Sequence, residues 1–414
     1  MPRDRLLLVL CLTSGLQTFS IGAFPALLPE IGRSAALPYW QLGAVAGAFG
    51  FARMLTDVPA GLLMTHHVRR ALVAGPVFVV LGIACVALGG SFGWLLMGRL
   101  LMGSGHTLGT LGLLTTILRV RAEHRLASAL NASEFSAMLG MLGGVGLVGA
   151  LPGALPWQAA FVIGCSPIVA AFVSLNVLLT LLPDEGGGRR PWFARSAGAA
   201  AAGDSPRTPR GTSALAFAAG CAVALGYATV EQFVIPVRGS REFGLERSGI
   251  ARLLMLAQLS DTLALLPVGA LADRVGTARV LGVVLLSFGT AVAMVGLGSL
   301  PVVIGGCLVF GTSMAGWMLP VGLLRAATPA SQVAWRTALF RVFVDGGMFL
   351  GPFASGLLGA THARVLPAAL AVVLFVVGVA LLARVSAGTL HRRADGVVTA
   401  SAHRGREDDG RFAG

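Results

Sequence analysis

Twelve apolar runs, each about twenty residues long, dominate the chain. They lie at about 6–28, 40–63, 71–91, 94–118, 127–151, 157–182, 213–236, 249–272, 278–298, 301–324, 338–360 and 364–384. About 20 apolar residues carry a helix across a bilayer core. In lipid, only helices and closed barrels satisfy their own backbone. The expected fold is therefore all-α and integral to the membrane, with twelve transmembrane helices. Most gaps are only a few residues, so neighbouring spans run antiparallel. The one long gap is rich in Gly, Ala, Pro and Arg and has no apolar period. It divides the chain into a six-helix half at 1–182, a cytoplasmic linker at 183–212, a second six-helix half at 213–384 and a disordered cytoplasmic tail at 385–414.

Composition removes the competing classes. Charged residues make up 12% of the chain, against about 25% in soluble domains. A soluble enzyme, a nucleic-acid binder and a disordered chain are excluded. The net charge is +13, and all 31 cations are arginine. They are scattered through the gaps rather than gathered on one face. With the N-terminus inside, 22 arginines fall on the inner side and 5 on the outer. By the positive-inside rule both termini and the linker are cytoplasmic, in a bacterial-type inner membrane. The opening Leu/Val run imitates a signal peptide but continues to about Leu28 without a cleavage site, so it is expected to be retained as the first span. Cys11, Cys85, Cys165, Cys221 and Cys307 stand singly in apolar runs, with no metal-site or disulfide spacing. No cofactor, metal or catalytic group is indicated.

An internal repeat supports the two halves. Pro59-Ala-Gly61 closes the second span, and Pro267-Val-Gly269 closes the eighth. The second copy continues as Gly269-Ala-Leu-Ala-Asp273-Arg274-Val-Gly276-Thr-Ala-Arg279. Asp273 sits at a helix C-terminus, where the macrodipole disfavours an anion, so it needs a cation or another helix's N-terminus as partner. Arg325, at the cytoplasmic end of span ten, is the cation expected to serve. Gly269 would allow a neighbouring helix to approach, and Gly276 would make the turn. In the first copy Thr65 replaces the acid and Val68 a glycine.

This order of residues resembles the loop signature of the major facilitator superfamily, and the resemblance covers nearly the whole chain. Trp157-Gln-Ala-Ala-Phe161 and Gly98-Arg99-Leu-Leu-Met102-Gly103 are similar to further signatures of that family. The resemblance implies alternating access between two six-helix bundles, with a small-molecule substrate at mid-membrane. It links Arg99 to proton coupling; snorkelling to the headgroups is the alternative role for that residue. It also implies a cavity lined by spans one, four, seven and ten, whose polar residues are Gln17, His106, Tyr227, Glu231, Gln232 and Trp317. His106 either titrates or simply packs. Glu231 serves either the substrate or an ion pair with Arg238 or Arg241. Gly140 and Gly144 in span five, and Gly347, Gly351 and Pro352 in span eleven, resemble an antiporter signature and form small-residue packing faces.

Charges inside spans are expensive and mark function. Arg53 and Asp261 each stand eight residues before the repeat glycine of their half. They are expected either to pair across the halves or to clasp a substrate. Alternatively, Arg53 pairs with Asp57, and Arg341 with Asp345, one turn along the same helix. With no nucleotide-binding loop, a gradient supplies any driving force. The expected molecule is a monomeric secondary transporter that exports a small organic compound against protons. Proton-linked uptake, facilitated passage and a non-transporting sensor or assembly factor are the other readings. Nucleic acid is not a partner.

Overall fold

A computed structural model describes residues 2–120, 123–182, 211–329, 332–384 and 386. Among these residues every regular element is a helix, and each expected span is present. Span one is Pro2–Ser34, two Tyr39–His66, three Val68–Leu88, four Phe92–Val120 and five Glu123–Ala150. Span six is Trp157–Cys165 followed by Ile168–Leu181. Span seven is Thr212–Thr229, a π-helical turn Val230–Val234, and Ile235–Arg241. Span eight is Arg247–Val275, nine Thr277–Leu297, and ten Leu300–Met314 followed by Leu319–Ala326. Span eleven is Val333–Leu358 and twelve Val365–Arg384. Nearly all of the expected linker and tail lie outside the described residues.

Among the described residues, nine spans are both long and apolar enough to cross a bilayer. The three that miss the apolar threshold are spans two, four and eleven. They carry Arg53 and Asp57, Arg99 and His106, and Arg341 and Asp345. Their polarity is tolerated because those side chains point into the protein, not at lipid.

The three interrupted spans have a common cause. Proline has no N–H, so the carbonyl four residues earlier loses its helical partner. Pro236 frees Gln232 within the π turn, Pro320 frees Gly316 in the span-ten break, and Pro167 frees Ile163 in span six. Tighter turns recapture part of the loss: Ser166 N bonds Ile163 O at 3.1 Å, and Leu319 N bonds Gly316 O at 3.0 Å.

Glycines let the spans meet backbone to backbone. In span five, Gly140 lies against Gly15 and Thr18, and Gly144 against Phe19, all of span one. In span eleven, a Cβ on Gly351 would sit 2.7 Å from Leu225 O, and one on Gly347 3.1 Å from Leu225 N, both of span seven. Pro352 belongs to a different face of span eleven, where its carbonyl meets Gly43 of span two.

Spans one to six meet spans seven to twelve mainly through the pairs two–eleven and five–eight. At the end bearing Arg33, Arg241 and Arg364, the Arg-poor end, the seam is tight. Gly43, Gly47 and Gly50 face Pro352, Phe349 and Met348, and Gly149 faces Ala251. Arg247 clamps Glu30 with two bonds of 2.9 and 2.5 Å and also donates to Leu155 O at 2.8 Å. Arg241 stacks on Tyr39 at 4.2 Å. Toward the other end, which bears Arg69, Arg274 and Arg325, the apolar core divides. One cluster runs through both sets of spans. Beyond it, one separate cluster holds only residues of spans one to six, and another centres on Ala272, Val280 and Val284.

Candidate functional site

Two helices bring four charges together where the tight seam ends. Arg341 donates to Asp57 from Nε at 3.1 Å and from Nη2 at 2.9 Å. Arg53 Nε lies 2.9 Å from Asp345 Oδ1. Asp57 is nine residues from His66 and Arg341 eight from Val333, so both lie about 12–14 Å inside the Arg-rich end. Asp345 is 1% exposed, and neither of its oxygens accepts a hydrogen bond. The pairing corrects both sequence expectations. Arg53 pairs with neither Asp261 nor Asp57, and Arg341 does not pair with Asp345. Matched depth along the membrane normal left the partner around the axis undetermined.

A second cluster lies within spans seven, eight and ten. Glu231 and Gln232 sit in the π turn and are buried. Glu231 Oε1 accepts from Tyr227 Oη at 3.1 Å and from Gln258 Nε2 at 3.0 Å. The Tyr227 ring meets Trp317 edge-on at 5.9 Å. Glu231 does not pair with an outer arginine. Arg238 instead bonds Val295 O, Gly298 O and Glu242, and Arg241 lies on Tyr39. Beyond the span, the Arg238 guanidinium holds the Glu242 carboxyl below its ordinary value. Asp261 lies on the face of span eight that carries Gln258, opposite lipid-facing Leu259, Leu263 and Leu266. It is within Coulombic range of Glu231 and Glu134.

Arg99 is 1% exposed, so it does not snorkel. Its guanidinium lies over Phe24 at 3.9 Å and Phe49 at 5.0 Å, and its Nη2 donates to Ala46 O at 3.3 Å. Aromatic faces stand in for a counterion. His106 contacts Phe49 and shares a 3.3 Å bond with Thr110. With Gln17, Thr13 and Thr18 it lines a small cavity with room for about one water.

The fold and the buried charges can be set beside known proteins. The Major Facilitator Superfamily model matches residues 10–246, more than half of the chain. The chain belongs to the major facilitator superfamily. Among solved structures of that fold, a point mutant of the nucleoside transporter NupG is 16% identical with a TM-score of 0.72, over 91% of this chain and 99% of its own. A POT family transporter in complex with 5-aminolevulinic acid is 13% identical with a TM-score of 0.73, over 92% and 96%. A bacterial homologue of the human lysosomal transporter Spinster, inward-facing and occupied, is 16% identical with a TM-score of 0.69, over 93% and 97%. No curated protein matches the chain by sequence. Membership makes the chain a multi-pass membrane transporter of the major facilitator type.

The superfamily loop after span eight is formed, but its latch is not engaged. Gly276 has φ +102°, a backbone that a side chain would strain. Asp273 and Arg325 are exposed and form no ion pair among the described residues, and Arg274 and Arg279 are likewise exposed. Gly269 has open space where a Cβ would sit, so no helix approaches it. The expected contacts are missing because the spans diverge at this end. In the first loop Val68 is buried, while the side chain of Thr65 lies outside what is described. Gln258 and the Glu30–Arg247 clamp make polar contacts without having stood out in the sequence. Gln258 carries no charge to draw attention; its spacing three residues before Asp261 was the available signal.

Proposed function

We propose that this superfamily member exports a small organic molecule by proton-coupled alternating access across the inner membrane. The observation that carries the reading is a seam closed at the Arg-poor end, with buried ionisable groups beneath the closure. The arginine asymmetry assigns the Arg-rich end, both termini and the linker to the cytoplasm. The molecule described is then inward-facing. Gln17, His106, Tyr227, Glu231, Gln232 and Trp317 take substrate, while Arg53, Arg99 and Asp261 couple charge movement to it. Closing the cytoplasmic end would bring Asp273 a cation, with Arg325 as the partner assigned to it; the loop of Gly269, Arg274, Gly276 and Arg279 then acts as a latch.

Inside-out vesicles with an imposed pH gradient test this directly. They should accumulate at least one compound from a panel of metabolites and drugs, and a protonophore should abolish the accumulation. Asp273→Asn should lower transport far more than membrane level. Accumulation of that compound by intact cells rather than by inside-out vesicles would replace export with uptake.

A further inference from the structure

We propose that Glu231, Gln258 and Asp261 bind the charged nitrogen of a small organic cation, an ammonium or guanidinium that carries N–H donors. The inference deepens the transport reading by naming the substrate class, and it rests on that reading only for the ligand's onward path.

Hydrogen-bond accounting makes the first case. Glu231 already receives two donors. Around it, Gln258 Oε1, Gln232 Oε1 and Asp261 Oδ1 are buried acceptors without a donor. Gln258 is 7% exposed and Gln232 6%. The Gln258 amide gives its nitrogen to the Glu231 carboxylate, so its orphan oxygen opens beside that carboxylate. The reversed amide would set oxygen against oxygen. These three unmet oxygens are acceptors, so what is missing among them is a cluster of donors.

Charge makes the second case. Neither Glu231 nor Asp261 has a cationic partner among the described residues. The internal repeat sharpens this. Asp261 occupies in span eight the place that Arg53 holds in span two, eight residues before Gly269 and Gly61. Glu134 occupies in span five the place of Arg341 in span eleven, six residues before Gly140 and Gly347. The two–eleven seam has two arginines and neutralises both on aspartates. The five–eight seam has acids at the equivalent positions and no arginine of its own beside them. A buried carboxylate without a counterion is costly, and a bound cation removes that cost. The Tyr227–Trp317 pair supplies an aromatic wall, and the first half of span ten ends at Met314, placing its negative dipole end beside the same ring.

Benzylamine, benzyltrimethylammonium and benzyl alcohol share one body and differ at the nitrogen. Their binding to the purified full chain in nanodiscs is read by calorimetry at neutral pH. Benzylamine should bind, the quaternary analogue at least about tenfold more weakly for want of N–H donors, and the alcohol not measurably. Glu231→Gln and Asp261→Asn should each weaken benzylamine by at least about tenfold, while Asp261→Glu, which keeps the charge, retains binding. Equal binding of the alcohol, or wild-type binding by both neutralised variants, overturns the site. Benzylamine binding without any gradient-driven movement of it would instead overturn proton-coupled export and leave the cation site standing.

Discussion

Arg53 and Arg341 each have an aspartate one turn away on their own helix, yet each pairs with the aspartate of the other helix. A same-helix pair one turn apart contributes only about 0.2–0.5 kcal/mol, and Arg placed before the acid is the weaker order. Pairing across the seam neutralises the same charges and ties the two halves together. Removing one member of a buried pair costs about 3–5 kcal/mol, because the survivor is left unpaired. Asp57→Arg and Arg341→Asp should each lower thermal stability in detergent and abolish transport. The double swap should recover much of both. A double variant no better than the worse single would remove the cross-seam pair as the cause. Asp345, deeper and without hydrogen bonds, should tolerate Asn less well than exposed Asp273 does in the same stability measurement.

At the scale of the helix, the π turn of span seven places Glu231 and Gln232, and Pro236 maintains it by withholding one N–H. Pro236→Ala restores that donor. The expected result is a regular helix, a higher apparent melting temperature and loss of transport, since helix geometry and site geometry are opposed here. Unchanged transport in proteoliposomes would count against the turn's role. The twelve spans were legible in the sequence because a largely apolar run of about 20 residues is a bilayer requirement, relaxed in spans two, four and eleven only by the few charges they bury in the protein. The breaks were not. Pro25, Pro59, Pro76, Pro267 and Pro352 all sit inside unbroken helices, so proline alone does not announce an interruption. The packing glycines of spans five and eleven were legible because small residues repeated at helical spacing favour close approach, whereas Gly269 was misread and faces open space. Partners across the seam were illegible, because sequence fixes depth along a helix but not rotation between bundles.

For the whole molecule, the arginine asymmetry makes the orientation testable. A cysteine introduced at Ser205 should react with an impermeant maleimide only after permeabilisation, and one at exposed Thr361 in intact cells. The reverse pattern would place the Arg-rich end outside. Cys165 and Cys307 are buried, and the part-exposed Cys11, Cys85 and Cys221 are replaced by serine first so that only the introduced thiol reports.

The contact of Gly43, Gly47 and Gly50 with span eleven also determines what kind of motion is open to the transporter. Surfaces lined by long side chains can slide, because rotamers readjust as they pass. Here a Cβ on Gly47 would already lie 2.5 Å from Phe349 O, and one on Gly50 2.7 Å from Phe349 N. Backbone pressed on backbone has nothing to readjust, so this border peels apart rather than shears. A single methyl then acts as a wedge. Gly47→Ala should prop the Arg-poor face open and expose Tyr39 and Gly356 to external reagents without any ligand. The protein would be trapped in the opposite half of its cycle by an addition rather than by the loss of a bond.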